Sequence, residues 1–317
     1  MTFPTRLIAA LACALLVAPL SGQAHGIAGD RVFPATLTID DPAVGDELSL
    51  PTFALPPGQT GTAANEYDYG FEWDKTIIKG FGFAVNSGFT NLRQPASADG
   101  NKYGWNDPVV TLKYTFLVNG RHEAMASFGV QKEIGGVGAV NSLGEDASGW
   151  TQPTLYFGKG FGDLPASAGL LRPFAITGEV GYQWADEPHP TAADGTVSIN
   201  PDIWNIGLSL QYNMQYLRAQ VKDYGLPEFV NNVIPLVEFA YSTPASASHT
   251  GTTSGGTLAP GFLYEGGSYQ IGIEALVPTT HSAGNELGMI AQLHFFLDDV
   301  FPNSLGKPLF DGEAPRL

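Results

Sequence analysis

The side chains with the greatest chemical capacity in this sequence are charged or amide groups in stretches where apolar and polar residues alternate. Each occupies a polar position of its stretch, and no two have a spacing typical of a catalytic pair. Around a water-filled passage, such groups would favour cations or polar solutes. The alternative is structural, with the carboxylates bonded to Lys113, Lys159 or backbone inside a narrow barrel. The predicted pore-lining residues are Glu72, Lys113, Glu123, Glu179, Gln211, Glu238 and Glu274.

Other chemistries have little support in the sequence. The chain has no G-x-S-x-G, G-x-x-x-x-G-K-[ST] or H-E-x-x-H motif, so we predict no enzyme, no catalytic residue and no cofactor. His25 would be an N-terminal copper ligand after removal of a leader, but no spacing selects a second histidine, and no metal site is predicted. The acidic cluster at residues 40–47 does not match a calcium loop. Asp40 or Asp41 is instead expected to cap a short helix with Pro42 in its first turn.

The elements that carry these groups are predicted to be β-strands. From Trp204 to Tyr216, apolar or aromatic residues alternate with polar residues or glycine over thirteen positions, which is the two-residue period of a strand. A strand in a soluble domain is typically about five or six residues long, whereas a longer one suits a tilted crossing of a hydrocarbon layer. The pattern recurs at 66–74, 81–89, 110–118, 124–131, 174–184, 233–242, 269–277 and 287–297, and more weakly at 152–161 and 256–264.

These patterns predict eleven strands, whereas bacterial single-chain barrels have an even number. A weak alternation at Glu47–Leu55 would supply a twelfth strand. Alternatively, residues 25–65 thread the lumen as a plug, or one pattern is not a separate strand. We therefore predict an all-β fold, an antiparallel transmembrane β-barrel of twelve strands with ten as the alternative. The barrel is assigned to residues 66–297 and the N-terminal plug-like segment to residues 25–65.

The connections and the aromatic residues are typical of an outer-membrane barrel. The long polar connections fall at one end and the shorter ones at the other. A sheet can cross hydrocarbon only if it closes, because every backbone group must then be paired. The alternative is a soluble exported β-domain, whose apolar face would point inward. The aromatic residues predicted to lie at the membrane interfaces are Trp73, Trp184, Trp204 and Tyr216.

The N-terminus has the pattern of a secretory signal peptide over residues 1–24. Arg6 precedes an apolar stretch, and the small residues Gly22 and Ala24 fit a cleavage site. The chain's single cysteine, Cys13, lies in this segment, so no disulfide is expected in the exported chain. The formal net charge of −16, from 15 Lys+Arg and 31 Asp+Glu, argues against a nucleic-acid partner.

Two segments, Arg31 to Val44 and Ala259 to Ala275, together with the barrel-like middle of the chain, resemble bacterial proteins grouped as "MetA-pathway of phenol degradation". That family consists of outer-membrane barrels. The resemblance implies a channel for small hydrophobic or aromatic compounds and transfers no catalytic residue. One departure is the tail at residues 298–317, because outer-membrane barrels commonly end at an aromatic residue of the last strand. This tail is expected to tuck into the periplasmic mouth.

Together these features predict a passive channel or uptake protein of the cell outer membrane. Its expected partners are the lipid bilayer, the outer-membrane assembly machinery and a small-molecule solute. The alternative function is that of a soluble exported β-domain that binds a ligand or a surface partner. The two predictions differ in the direction of the apolar side chains: toward lipid in the first case, and toward a dry core in the second.

Overall fold

The wall of the molecule is a continuous antiparallel sheet. The computed structural model describes residues 26–58, 65–93, 100–139, 143, 148–191, 195, 197, 199–245 and 253–316, so the predicted signal peptide and His25 lie outside the described residues. No helix in these ranges has the length and hydropathy needed to span a bilayer. The strands are β1 (Gly26–Ala28), β2 (Arg31–Phe33), β3 (Glu47–Leu55), β4 (Asn65–Ile78), β5 (Phe81–Arg93), β6 (Lys102–Trp105), β7 (Val109–Asn119), β8 (Ala124–Glu133), β9 (Trp150–Gly160), β10 (Phe174–Ala185), β11 (Ile203–Tyr212), β12 (Val233–Pro244), β13 (Gly255–Glu265), β14 (Tyr269–Pro278) and β15 (Gly288–Phe296).

The sheet closes into a barrel of twelve strands, as predicted. β3 pairs with β15 on one side and with β4 on the other, which joins the first strand of the wall to the last. The short β6 pairs only with the far end of β5, beside the start of β7. The weak alternation at Glu47–Leu55 is therefore a true wall strand, and the wall begins at Glu47 rather than at residue 66. β1 and β2 form a separate hairpin outside this sheet.

The connections divide the barrel into two ends. We call the end that carries residues 79–80, 120–123, 161–173, 213–232 and 266–268 the turn end, and the opposite end the loop end. The predicted separation of connections is correct, but residues 213–232 form a long excursion at the turn end. The helices are α1 (Met214–Tyr216), α2 (Glu228–Asn231) and α3 (Leu297–Val300), with 3-10 turns at Gly120–His122, Ala166–Leu171 and His281–Ala283 and a π turn at Leu217–Val221.

The strand at the clearest alternation is shorter than its pattern. β11 ends at Tyr212 after ten residues. The side-chain oxygen of Asn213 then accepts a hydrogen bond from the backbone N–H of Tyr216 at 2.8 Å, which caps helix α1. An asparagine in this position satisfies an N–H that has no partner within the helix. The prediction of a strand to Tyr216 was wrong. The alternation of apolar and polar residues happens to continue from β11 through Asn213 into helix α1.

Apolar side chains point away from the barrel interior. Leu208 and Ile273 are 42% and 51% exposed, whereas the inward-facing Gln211 and Glu274 are each 2% exposed. A soluble β-domain would show the opposite arrangement. An outward charge at mid-depth in a bilayer would cost about 2–4 kcal/mol for Lys or Arg. The orientation of the side chains is therefore that of an outer-membrane barrel, and the polar residues face the lumen.

Candidate functional site

The lumen contains residues 26–45, which we call the inner segment. Its residues Ala28 and Phe33 are 0% and 1% exposed and pack against Met125 and Ala175 of the wall. Gly158 leaves the space for this contact, because a Cβ there would lie 3.0 Å from ring atoms of Phe33. The inner segment thus begins as a hairpin packed against the inner wall.

A buried ion pair fixes this hairpin. The Arg31 side chain is 0% exposed, and its Nε donates to Glu123 Oε2 at 3.1 Å. Its other nitrogens donate to the carbonyl oxygens of Pro173 at 2.9 Å and Arg172 at 2.6 Å. The guanidinium also lies 3.9 Å from the centre of the Tyr216 ring. Removing one partner of such a pair typically costs about 3–5 kcal/mol, so Arg31 is a strong anchor.

Glu123 has further partners that complete this anchor. Its Oε1 accepts from the Tyr216 hydroxyl at 2.7 Å, and its Oε2 accepts from the Gly162 N–H at 2.9 Å. Burial raises the pKa of Tyr216 to about 12, and the Glu123 carboxylate adds to the shift. The tyrosine therefore stays protonated and donates to Glu123. Tyr216 is 5% exposed, so its predicted position at a membrane interface was wrong: the helix cap at Asn213 turns it inward.

Farther along, the inner segment reaches β12 and β14. Glu238 Oε2 accepts from the backbone N–H groups of Leu37 at 3.2 Å and Thr38 at 2.6 Å. The Thr38 hydroxyl donates to Glu274 at 2.8 Å. The Leu37 side chain packs against the buried residues of a small apolar cluster on β12 and β13, and Gln270 donates to the Ala35 carbonyl at 2.6 Å. Of the two predicted pore-lining glutamates, Glu238 therefore holds the backbone of the inner segment and Glu274 holds the Thr38 side chain.

The inner segment then crosses back to β7. Lys113 Nζ donates to Asp40 at 2.8 Å and to the Asp41 carbonyl at 3.0 Å, and it lies 4.6 Å from the centre of the Tyr156 ring. The Asp41 side chain accepts from the Ala43 N–H at 2.6 Å. It therefore caps a turn, and the predicted short helix does not form. Burial raises the pKa of Asp41 well above the usual range, although the nearby Lys113 opposes this shift.

Two cavities remain beside the inner segment. The upper cavity, at the loop end, has a volume of about 630 Å³, and the lower cavity, toward the turn end, has about 330 Å³. Both are lined by the same stretch of the inner segment and by the same two residues of β4 and β5. The two cavities therefore adjoin along one side of the lumen. The shared lining residues are Thr38, Ile39, Asp40, Glu72 and Asn86.

The predicted pore-lining residues fall into two groups. Glu72, Lys113 and Glu179 line a cavity. The others face inward but line neither cavity, because they are bonded to the inner segment or to the wall. Gln211, for example, donates to Thr177 at 3.1 Å and to Ser209 at 3.2 Å. Residues of this second group are Glu123, Gln211, Glu238 and Glu274.

Lys159, which the sequence suggested as a partner of the lumen carboxylates, does not face the lumen. Its neighbours Gly158 and Gly160 face inward, so the alternation of β9 places Lys159 outward. There it lies 3.1 Å from Asp163. The contacts with Lys159 and His122 lower the pKa of Asp163. The cation that pairs with Glu123 is Arg31. The sequence did not indicate this pair, because the pattern of an irregular segment does not show which part of the wall that segment will contact.

Several lining residues were not predicted. Asp74 and His294 line the lower cavity, and both stand at polar positions of alternating strands, so the signal was present in the sequence. His294 Nδ1 lies 2.9 Å from Ser49 Oγ, and its Nε2 lies 3.3 Å from Glu47 Oε2. Asp40 has no such signal because it lies outside any strand. Within the part of the chain that the structure describes, no cluster of three or more His, Cys, Asp or Glu side chains could hold a metal ion.

The other predicted interface residues lie on the outer surface near the ends of the barrel. Trp184 and Trp204, which are 41% and 43% exposed, stand near the loop end. The Trp204 ring meets that of Tyr182 edge-on, with centroids 4.8 Å apart. Trp73 stands nearer the turn end and contacts Phe83 edge-on at 5.6 Å. Outward aromatic side chains thus occur toward both ends of the barrel.

Comparison with known proteins supports the fold. No protein-family model and no curated protein matches the chain. An outer membrane channel from Pseudomonas putida F1 is similar in structure, with a TM-score of 0.55 and 10% identity over 84% of this chain and 99% of that chain. The NanC porin is also similar, with a TM-score of 0.48 and 10% identity over 79% of this chain and 98% of that chain. The chain thus shares the closed-barrel fold of an outer membrane channel.

Proposed function

We propose that this protein is a passive channel of the outer membrane for small solutes. The observation that carries the proposal is the pair of adjoining polar cavities inside a closed barrel with an apolar outer surface. A closed sheet satisfies its backbone internally, and exposed apolar side chains then meet lipid without cost. Export through the predicted signal peptide and insertion by the outer-membrane assembly machinery belong to the same proposal. No enzymatic function is proposed.

The inner segment acts in this proposal as a plug that narrows the lumen without filling it. Its contacts reach the turn before β8 and then β12, β14 and β7, so it crosses the interior. The space where the two cavities adjoin lies on the side of β4 and β5. A solute entering at the loop end would meet Glu179 in the upper cavity and then Asp40 and Glu72, where the cavities adjoin.

The charges along this route favour small polar or cationic solutes. Lys113 is the only lysine or arginine among the described residues that line the two cavities, and Asp40 lies against it. The carboxyl groups of Glu72, Asp74 and Glu179 have no such cationic partner in the described structure. Acidic residues around a pore attract cations and exclude anions. Anionic solutes would therefore pass poorly.

The resemblance to the phenol-degradation family suggests aromatic compounds as the solutes. Trp150 lines the upper cavity near the loop end and would offer a flat apolar contact. The neighbouring Gln152, Gln183 and Asn205 would require polar substituents on such a compound. We therefore propose aromatic solutes that carry polar or cationic groups, rather than purely apolar ones, as the second candidate class.

The test is conductance across planar bilayers with purified, heat-modifiable protein. We expect small channels that prefer potassium to chloride, because carboxylates dominate the route. Permeation of small aromatic amines into protein-loaded liposomes would then compare the two solute classes. Recovery of the folded protein in the soluble periplasmic fraction without detergent would contradict the proposal and favour a soluble ligand-binding domain.

A further inference from the structure

The chain continues past the last strand and follows the turn end of the wall. We call residues 301–316 the rim strap. β3 begins at Glu47, opposite Asp74, so the last residues of β4 have no β3 neighbour. The rim strap takes that place along the edge of the wall, rather than tucking into the periplasmic mouth as the sequence suggested. Its backbone bonds are Leu309 N to Thr76 O at 3.1 Å, Phe310 N to Ile77 O at 2.9 Å, Lys79 N to Gly312 O at 3.1 Å and Ala314 N to Lys79 O at 2.8 Å.

The rim strap covers a buried ion pair on the outer side of the wall. Asp74 and Glu47 line the lower cavity, so the adjacent Lys75 and Asp46 point outward. Lys75 and Asp46 form an ion pair with each other, and both side chains are only 5% exposed. Lys75 Nζ also donates to the strap carbonyls of Leu305 and Lys307, each at 2.7 Å. All three protons of the ammonium group thus have acceptors, two of them in the strap.

The rim strap itself presents apolar side chains to its surroundings. The most exposed are Leu305 at 52%, Leu309 at 53% and Phe310 at 65%. The strap adjoins the outward surface of the barrel, because the Tyr114 hydroxyl on β7 donates to the strap carbonyl of Pro315. The same end carries Phe229 of α2, which is 67% exposed and stacks on the outward Tyr264 at 5.2 Å. At the turn end, exposed apolar side chains therefore continue beyond the ends of the strands.

We propose that the rim strap lies in the lipid interface on the turn-end side and docks onto the phospholipid surface there. Its apolar side chains would enter the boundary between headgroups and acyl chains, as in segments that lie along a membrane. Its backbone would at the same time keep lipid away from Lys75 and Asp46. Lys79 and Arg316, which flank Glu313 at 3.9 Å and 3.0 Å, would reach toward the headgroups. This inference rests on the proposed membrane location of the barrel.

The test measures the depth of single spin labels in vesicles of phosphatidylethanolamine and phosphatidylglycerol. Since Cys13 is the chain's only cysteine, a Cys13→Ser background accepts one label at a time. Phe310→Cys and Leu305→Cys report on the rim strap. Leu208→Cys reports on the middle of the outer surface, and Val137→Cys, 66% exposed at the loop end, is the aqueous control. Each variant is first checked for heat-modifiable migration.

We expect the labels at positions 310 and 305 to collide with oxygen severalfold more, relative to a water-soluble nickel chelate, than the label at position 137. Their depth should be intermediate between those of positions 137 and 208. If position 208 lies in lipid while both strap labels match the aqueous control, the strap inference is wrong and the channel proposal stands. If position 208 also lies in water, the membrane location itself is wrong.

Discussion

Both sides of the lumen carry inward-facing glutamates, and these differ in what they contact. On one side, Glu123 holds Arg31, Glu238 accepts from the backbone N–H groups of Leu37 and Thr38, and Glu274 accepts from the Thr38 hydroxyl. We call this the sealed side. On the other, which we call the open side, Glu72 bonds to Asn86 at 3.1 Å and faces both cavities.

The difference shows that a carboxylate on the polar face of a barrel strand has no fixed role. A buried carboxylate must find donors, and the inner segment supplies them only where it touches the wall. Structural and cavity-lining positions, which were alternatives at the level of sequence, therefore both occur in one lumen. The contacts of each carboxylate decide between them, and four experiments compare the two sides.

The largest effect is expected from removing the inner segment. Deletion of residues 26–45 takes away the contacts between the inner segment and the sealed side, so we expect the conductance of the purified protein to rise severalfold in planar bilayers. The same deletion should also let larger polar solutes enter liposomes that contain the protein. An unchanged conductance in a folded deletion variant would show that the inner segment does not narrow the route.

The next effect is on stability and concerns the sealed side. Arg31→Met leaves Glu123 buried without its cation, so unfolding in detergent and urea should require about 3–5 kcal/mol less free energy. The matched control is Arg93→Met, which removes an arginine lying 5.0 Å from the Tyr67 ring at the loop end of β5. The control should change stability by about 0.5 kcal/mol or less. Equal losses in both variants would argue against the anchor.

Ion selectivity compares the two sides directly. Glu72→Gln removes a charge from the open side, so the preference for potassium over chloride should fall, as measured by the reversal potential in a salt gradient. Glu238→Gln should change it little, because the amide oxygen can still accept from Leu37 and Thr38. A larger shift of the reversal potential for Glu238→Gln than for Glu72→Gln would contradict an ion route along the open side.

The smallest effect is a pH dependence at the turn end below the open side. Burial raises the pKa of Asp298 to about 7, with Glu47 and Asp299 adding to the shift. The folded protein therefore holds a proton that the unfolded chain releases near pH 4, so stability should fall as the pH rises from about 4 to 7. On the sealed side, Tyr216 stays protonated across this window.

Asp298→Asn tests this pH dependence. The variant should flatten the fall of the unfolding midpoint between pH 5 and pH 8, measured in detergent micelles. Asp163→Asn is the control, because contacts with Lys159 and His122 lower the pKa of Asp163 and place its titration below this range. A wild-type midpoint that does not change with pH would contradict the assignment of a raised pKa to Asp298.

Much of the wall could be predicted from the sequence, whereas the lumen could not. Alternation identified Leu208 and Ile273 as outward and Gln211 and Glu274 as inward, since the pleat of a strand makes direction a local property. The failure at Tyr216 came from one asparagine cap, which a two-residue period does not reveal. The inner partners of Glu123 and Lys113 are Arg31 and Asp40, which are distant in sequence and lie outside the wall.

The sequence by itself determined the class of fold and the face of each strand that meets water, because both follow from local alternation and from the need to pair every backbone group. It favoured twelve wall strands but left ten as an alternative. Only the tertiary structure decided which carboxylates hold the inner segment, where the cavities remain and how the rim strap covers Lys75. These depend on where an irregular segment crosses a closed wall, and that crossing is a balance of contacts between residues far apart in the chain.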